Sequence, residues 1–133
     1  YSLGLAMGAK MAAPEKQVIN VMGDAAFGMV GMDMETVARA DIPILTIVLN
    51  NFTMAIYPDG RFPEAVRRYD IKGLTGNFAD VAQALGVFSE RITEPGEIVP
   101  AIQRALELNR SGKPVLLEFI TKEEGEYSKF QWS

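Results

Sequence analysis

Val18-Ile19-Asn20-Val21-Met22-Gly23-Asp24-Ala25-Ala26-Phe27-Gly28 opens on a β-branched apolar run, narrows to small residues and continues into helical spacing. A buried strand that passes through such a turn into a helix exposes backbone N–H groups and the positive end of the helix dipole, and both favour a phosphate. Asp24 would repel a bare phosphate across a few ångströms of partly dehydrated cleft. A divalent cation between the two reverses the sign. A second apolar run, 44–49, ends in Asn50-Asn51, with Asn51 lying 27 positions after Asp24 (51 − 24). Amide oxygens are thereby set at the carboxyl edge of a neighbouring strand, where ligands sit in open parallel sheets.

Working outward, two further runs, 114–120 and a weaker 87–92, predict strands. Helical spacing separates the four runs, a pattern that predicts β-α-β units and a doubly wound, mainly parallel sheet with helices on both faces. Phe78, Val81, Ala82 and Leu85 fall on one helical face, with Asn77 as N-cap and Gly86 as stop. Residues 97–109 repeat the pattern through Ile98, Ile102, Ala105 and Leu106. Val30, Met34 and Val37 mark another helix, on which Glu35 and Arg39 stand one turn apart. Residues 1–12 read as a helix with Leu3, Met7 and Met11 in one row and a small row, Gly4, Gly8 and Ala12, suited to close packing. Residues 52–76, with Pro58, Gly60, Pro63, Gly73 and Gly76, predict a functional loop holding at most a short helix. Met22, Met29, Met32 and Met34 read as core filler.

The 133 residues carry 13 basic and 17 acidic side chains, for a net charge of −4, with Arg67-Arg68 as the one short basic cluster. That balance argues against nucleic acid. No apolar run approaches the roughly 20 residues that span a bilayer, so a soluble, cytoplasmic protein is expected. There is no Cys and no His, which excludes disulfides, Cys/His zinc sites, thiol nucleophiles and histidine triads. A metal must be held by carboxylate, amide, hydroxyl or backbone oxygens, a set that suits Mg²⁺, Ca²⁺ or Mn²⁺. Gly23 to Gly28 has P-loop glycine spacing, but Met29 and Val30 occupy the places of Lys and Ser/Thr, and no G-x-G-x-x-G follows a strand.

Gly23-Asp24-Ala25 followed by Asn50-Asn51 resembles the cofactor signature of the thiamine-diphosphate enzymes of the acetolactate synthase and pyruvate decarboxylase type, Gly-Asp-Gly with Asn-Asn some 25 residues on. Phe27, Glu35, Ile42-Pro43 and Gly112-Lys113-Pro114-Val115-Leu116-Leu117-Glu118 extend the resemblance over nearly the whole chain. It implies the C-terminal thiamine diphosphate-binding fold across residues 1–133 as a single domain, with Mg²⁺ bridging protein and diphosphate. Asp24 would give a carboxylate oxygen, Asn51 its amide oxygen and Thr53 its backbone carbonyl. The amides of Ala25 and Ala26, next to Gly23, would reach the diphosphate, and Met54, Ala55 and Ile56 would line the pocket near the thiazolium ring. Two positions depart from the family pattern. Ala25 replaces the usual Gly, at a cost of about 1 kcal/mol if the position needs positive φ and none otherwise, and Ala55 also stands where Gly is frequent.

In this chemistry the cofactor supplies the electron sink, so the missing His is no puzzle. The family's activating Glu belongs to a pyrimidine-binding domain, which the resemblance puts elsewhere in the same chain or on a partner subunit, in a homodimer or homotetramer. Residues 1–133 are therefore expected to be part of a longer polypeptide and inactive alone, with no catalytic residue of their own. The favoured activity is C–C bond cleavage or formation on a 2-oxo acid, acetolactate-synthase-like. A 2-oxo acid or oxalyl-CoA-type decarboxylase, a cofactor-binding module without turnover, and a doubly wound domain with no cofactor are the alternatives.

Overall fold

A computed structural model describes residues 2–54 and 60–124. Four strands, β1 (Ile19–Gly23), β2 (Leu45–Asn50), β3 (Phe88–Ile92) and β4 (Val115–Ile120), form one sheet in the order β1-β2-β4-β3, every neighbouring pair parallel. The helices are α1 (Ser2–Ala12), α2 (Asp24–Val30), α3 (Met34–Arg39), α4 (Pro63–Tyr69), α5 (Phe78–Ala84) and α6 (Ile98–Arg110). The strands begin or end within two residues of the apolar runs that predicted them.

Alternation along the strands divides the core into two layers. Met22, Ile44, Val48 and Leu116 join Leu3 and Ala6 of α1, Phe27 of α2, Met34 and Val37 of α3 and Ala79 and Ala82 of α5 on one face. Leu45, Val115, Leu117 and Phe119 meet Ala101 and Ala105 of α6 on the other. Helices on both faces of a parallel sheet make the three-layer, doubly wound α/β fold that the alternating pattern predicts. Packing by α6 reaches β2, β3 and β4. Ile19 and Val21 of β1 and Leu49 of β2 are exposed.

Local signals explain most helix ends. The Asn77 side chain accepts from the Asp80 N–H at 3.1 Å, capping α5, and Gly86, at φ 92°, ends it with its own N–H on Gln83 O and that of Val87 on Ala82 O. Pro63 stands in the first turn of α4, where a missing N–H costs nothing. Lys10 closes α1 by donating to the carbonyls of Pro14 and Lys16. The small row of α1 behaves differently from its prediction: a Cβ added at Gly4 or Gly8 would meet no described atom within 4 Å. Leu3 and Ala6 make the buried contacts instead.

The helix expected around 30–37 is in fact two. It starts at Asp24 itself and is interrupted by a 3-10 turn, Gly31–Asp33, before α3. Phe27, almost fully buried and edge-on to Phe78 with ring centroids 5.3 Å apart, packs against the start of this turn so closely that a Cβ on Gly31 would stand 2.6 Å from its ring. Only hydrogen fits there. Gly31→Ala, whose backbone is ordinary right-handed helix (φ −61°), should therefore destabilise by about 1–3 kcal/mol through overpacking alone. Urea denaturation of the purified protein checks this, and an unchanged midpoint would show that the ring moves aside freely.

Candidate functional site

Gly23, the last residue of β1, is paired with Leu49 of β2. The chain leaves both strands at the same level, so Asp24 and the Asn50-Asn51 pair share one carboxyl edge. Gly23 is extended (φ −81°, ψ 165°) and forms the N-cap of α2 without any side-chain hydrogen bond. The turn is thus shorter than its reading from sequence, with Asp24 already helical.

Asp24 is 3% exposed. Its Oδ1 accepts from the Ala25 N–H at 2.8 Å, while Oδ2 is buried with no hydrogen-bond partner among the described residues. Leaving a buried polar atom unmatched costs about 1–3 kcal/mol, and more for a charged group. An oxygen of this kind is what a cation would satisfy. Among the described residues no three His, Cys, Asp or Glu cluster as a metal cage, so a cation here would draw its other ligands from amide, backbone and ligand oxygens, as Mg²⁺ sites do. Ala25 has ordinary negative φ, since Asp41, Phe52 and Asp70 are the non-glycine residues with positive φ among those described. Its methyl therefore carries no backbone cost.

Across the edge, the loop after β2 is held at several points. The fully buried Asn50 donates through Nδ2 to Glu118 Oε1 at 2.7 Å and accepts at Oδ1 from the Phe52 N–H at 2.9 Å. Phe52 adopts the left-handed region at φ 61° with the Arg91 guanidinium 5.7 Å from its ring centroid. Asn51 Oδ1 accepts from the Thr53 N–H at 3.0 Å and hydroxyl at 3.3 Å. Thr53 forms an isolated antiparallel bridge with Gly73, flanked by Met54 N–H to Lys72 O and Leu74 N–H to Phe52 O. In such a non-hydrogen-bonded pair the N–H and C=O of Thr53 point away from the 72–74 segment. Its N–H turns to Asn51, and its carbonyl opens on the same side. Met54 is half-buried, and Ala55 and Ile56 lie outside the described residues.

Ala26 is exposed and lines an apolar cleft of about 960 Å³ between α1 and α2, together with Leu5, Met22, Met29 and Val30. This corrects the reading of the methionines as core. Met22 and Met34 are buried, but Met29 and Met32 are about 70% exposed. Glu35 does pair with Arg39 at 2.8 Å on the surface of α3, and that hydrogen bond holds its carboxyl below the usual range despite some desolvation. Sequence reasoning missed Glu118 as a partner of the site, although an acid inside Val115-Leu116-Leu117-Glu118-Phe119-Ile120 was the available signal.

The family profile described as thiamine pyrophosphate enzyme, C-terminal TPP binding domain, matches residues 1–119. An acetolactate synthase large subunit of Corynebacterium glutamicum is 30% identical across 95% of this chain and 21% of its own length. A sulfoacetaldehyde acetyltransferase of Alcaligenes xylosoxydans is 31% identical over the same shares. A thiamine diphosphate-dependent 4-hydroxybenzoylformate decarboxylase of Rhodococcus jostii shares the fold, with a TM-score of 0.73 at 24% identity over 94% of this chain and 23% of that one. The chain spans about a fifth of the length of the curated relatives it matches.

The unmatched oxygen generates a test that needs no ligand. Asp24→Asn keeps an acceptor for Ala25 but removes the buried charge, so without metal it should stabilise the protein by about 1–2 kcal/mol. Denaturation in chelator measures it, and a clear loss of stability would mean that Oδ2 is matched in solution.

Proposed function

The chain belongs to the thiamine pyrophosphate enzymes as their C-terminal TPP binding domain, and from that membership we propose that it holds thiamine diphosphate through Mg²⁺ at the Asp24–Asn51 edge. The buried, unmatched Oδ2 of Asp24 beside the Asn51 turn carries this reading. Asp24 Oδ2, Asn51 Oδ1 and the Thr53 carbonyl are the protein oxygens that would hold the ion. Gly23 lets the diphosphate approach, since no side chain stands there, and the amides of Ala25 and Ala26 offer the start of α2 to it. The Ala25 N–H is shared with Asp24 Oδ1. Met54, with Ala55 and Ile56, is read as lining the thiazolium end. When bound, the cofactor supplies the electron sink for bond breaking next to a carbonyl.

The substrate class proposed is a 2-oxo acid and the reaction an acetolactate-synthase-like carboligation, supported by the run of acetolactate synthases among the relatives at 30–32% identity. A pyrimidine-binding domain, of the same chain or a partner in a homodimer or homotetramer, would complete the site and bring the activating Glu. Support comes from the exposed Leu5 and Met29 that line the cleft, an apolar face of the sort that marks a docking surface. No described helix is long and apolar enough to cross a membrane.

The ligand set predicts a graded series in the intact enzyme, read by calorimetric titration of Mg²⁺ with thiamine diphosphate. Asp24→Ala removes the one charged ligand and should abolish binding at millimolar Mg²⁺. Asn51→Ala should weaken it by about ten- to a hundredfold. Thr53→Ala, which keeps the carbonyl and frees a lone pair on Asn51, should bind within a few-fold of the parent. Normal binding by Asp24→Ala would sink the site.

Residues 1–133 alone should give no turnover of pyruvate, even with Mg²⁺ and thiamine diphosphate in excess. Acid-base assistance and correct positioning, each worth at least about a hundredfold, depend on the pyrimidine-binding domain. NMR detection of acetolactate from the isolated chain would overturn this. In the intact enzyme, acetaldehyde with CO₂ as the sole products would move the assignment to a decarboxylase.

A further inference from the structure

Glu118 is the one acid in the buried strand β4 and is fully buried. Burying a carboxylate costs several kcal/mol unless donors compensate. Its donors here are both N–H groups: Asn50 Nδ2 on Oε1 at 2.7 Å and the Ala79 N–H on Oε2 at 2.9 Å. The second bond serves the start of α5, which Asn77 and the Ser89 hydroxyl on Ala79 O already secure. The first does something else. Glu118 pairs in register with Val48, two residues before Asn50 on the same face of β2, and its side chain reaches along the sheet to the edge where the ligand-bearing turn begins.

Resting on the Mg²⁺–thiamine diphosphate reading above, we propose that Glu118 is a positioning residue for that site. By holding Asn50 Nδ2 it fixes which way the Asn50 amide faces, so that Oδ1 meets the Phe52 N–H and keeps Phe52 left-handed at φ 61°. That left-handed residue turns the chain so that Asn51 Oδ1 and the Thr53 carbonyl come to the same side. Without the carboxylate the Asn50 amide can flip, and its NH₂ would then face the Phe52 N–H, donor against donor.

The test uses the intact enzyme, titrating Mg²⁺ at saturating thiamine diphosphate and measuring stability separately. Glu118→Gln should raise the Mg²⁺ half-saturation about tenfold, the range for groups that orient a ligand from behind. Combining Glu118→Gln with Asn50→Asp reverses the direction of the bond while keeping an acceptor for Phe52 and one for Ala79. Half-saturation should return to within about threefold of the parent. Asn77→Ala, which removes an α5 cap without touching Asn50, should lower stability by about 1 kcal/mol and leave the Mg²⁺ requirement unmoved. A folded Glu118→Gln protein with an unchanged Mg²⁺ requirement would overturn the proposal, as would an Asn77→Ala protein that loses Mg²⁺ affinity equally. Should Glu118→Gln fail to fold, the reversed pair decides: folded but without Mg²⁺-dependent binding, it refutes the positioning role. Absence of Mg²⁺-dependent binding in the parent protein is a different failure, that of the cofactor reading itself.

Discussion

Everything at the site depends on two parallel strands ending level. With Gly23 opposite Leu49, the first residue of α2 and the first residues after β2 emerge side by side. One register step of slip would also turn the buried Asn20, Met22, Thr46 and Val48 to the wrong face. The core and the site thus share one constraint. The apolar alternation that buries Met22 and Val48 is the same alternation that delivers Asp24 beside Asn51.

The site combines two kinds of local order. On the β1 side the chain needs only a glycine, an acid and a helix, and the carboxylate is held from one oxygen by its neighbour's N–H while the other stays unmatched. On the β2 side a longer chain of bonds runs from Glu118 through Asn50 to Phe52, and from Asn51 to Thr53. A Phe in the left-handed region costs about 1–2 kcal/mol, and those bonds, with Arg91 over the ring, are what offset it.

Continuous apolar runs made the strands legible, since β2 and β4 are buried along most of their length, and helical spacing did the same for α5 and α6. The placing of Asp24 and Asn51 at one edge of the sheet was legible because each directly follows a strand. The need for glycine at Gly31 was not, because it depends on the volume of the Phe27 ring four residues earlier and on Phe78 far along the chain. Met29 and Met32 misled for a related reason, as composition cannot tell a filled core from an uncovered cleft. The role of Glu118 lay in a contact 68 residues away in sequence, which no local pattern encodes. The short α4 buries none of its residues and so leaves no stripe to read.

The Asx turn at Asn51 has a thermodynamic consequence. Its side-chain oxygen is engaged by the Thr53 N–H and hydroxyl, bonds internal to the chain that form as it folds, so the conformational entropy of residues 51–53 is lost during folding rather than on ligand capture. Ordering a flexible residue costs about 1–2 kcal/mol of backbone freedom. A loop already ordered spares any incoming partner that term, and affinity at this edge then reflects dehydration and electrostatics more than the chain's own search.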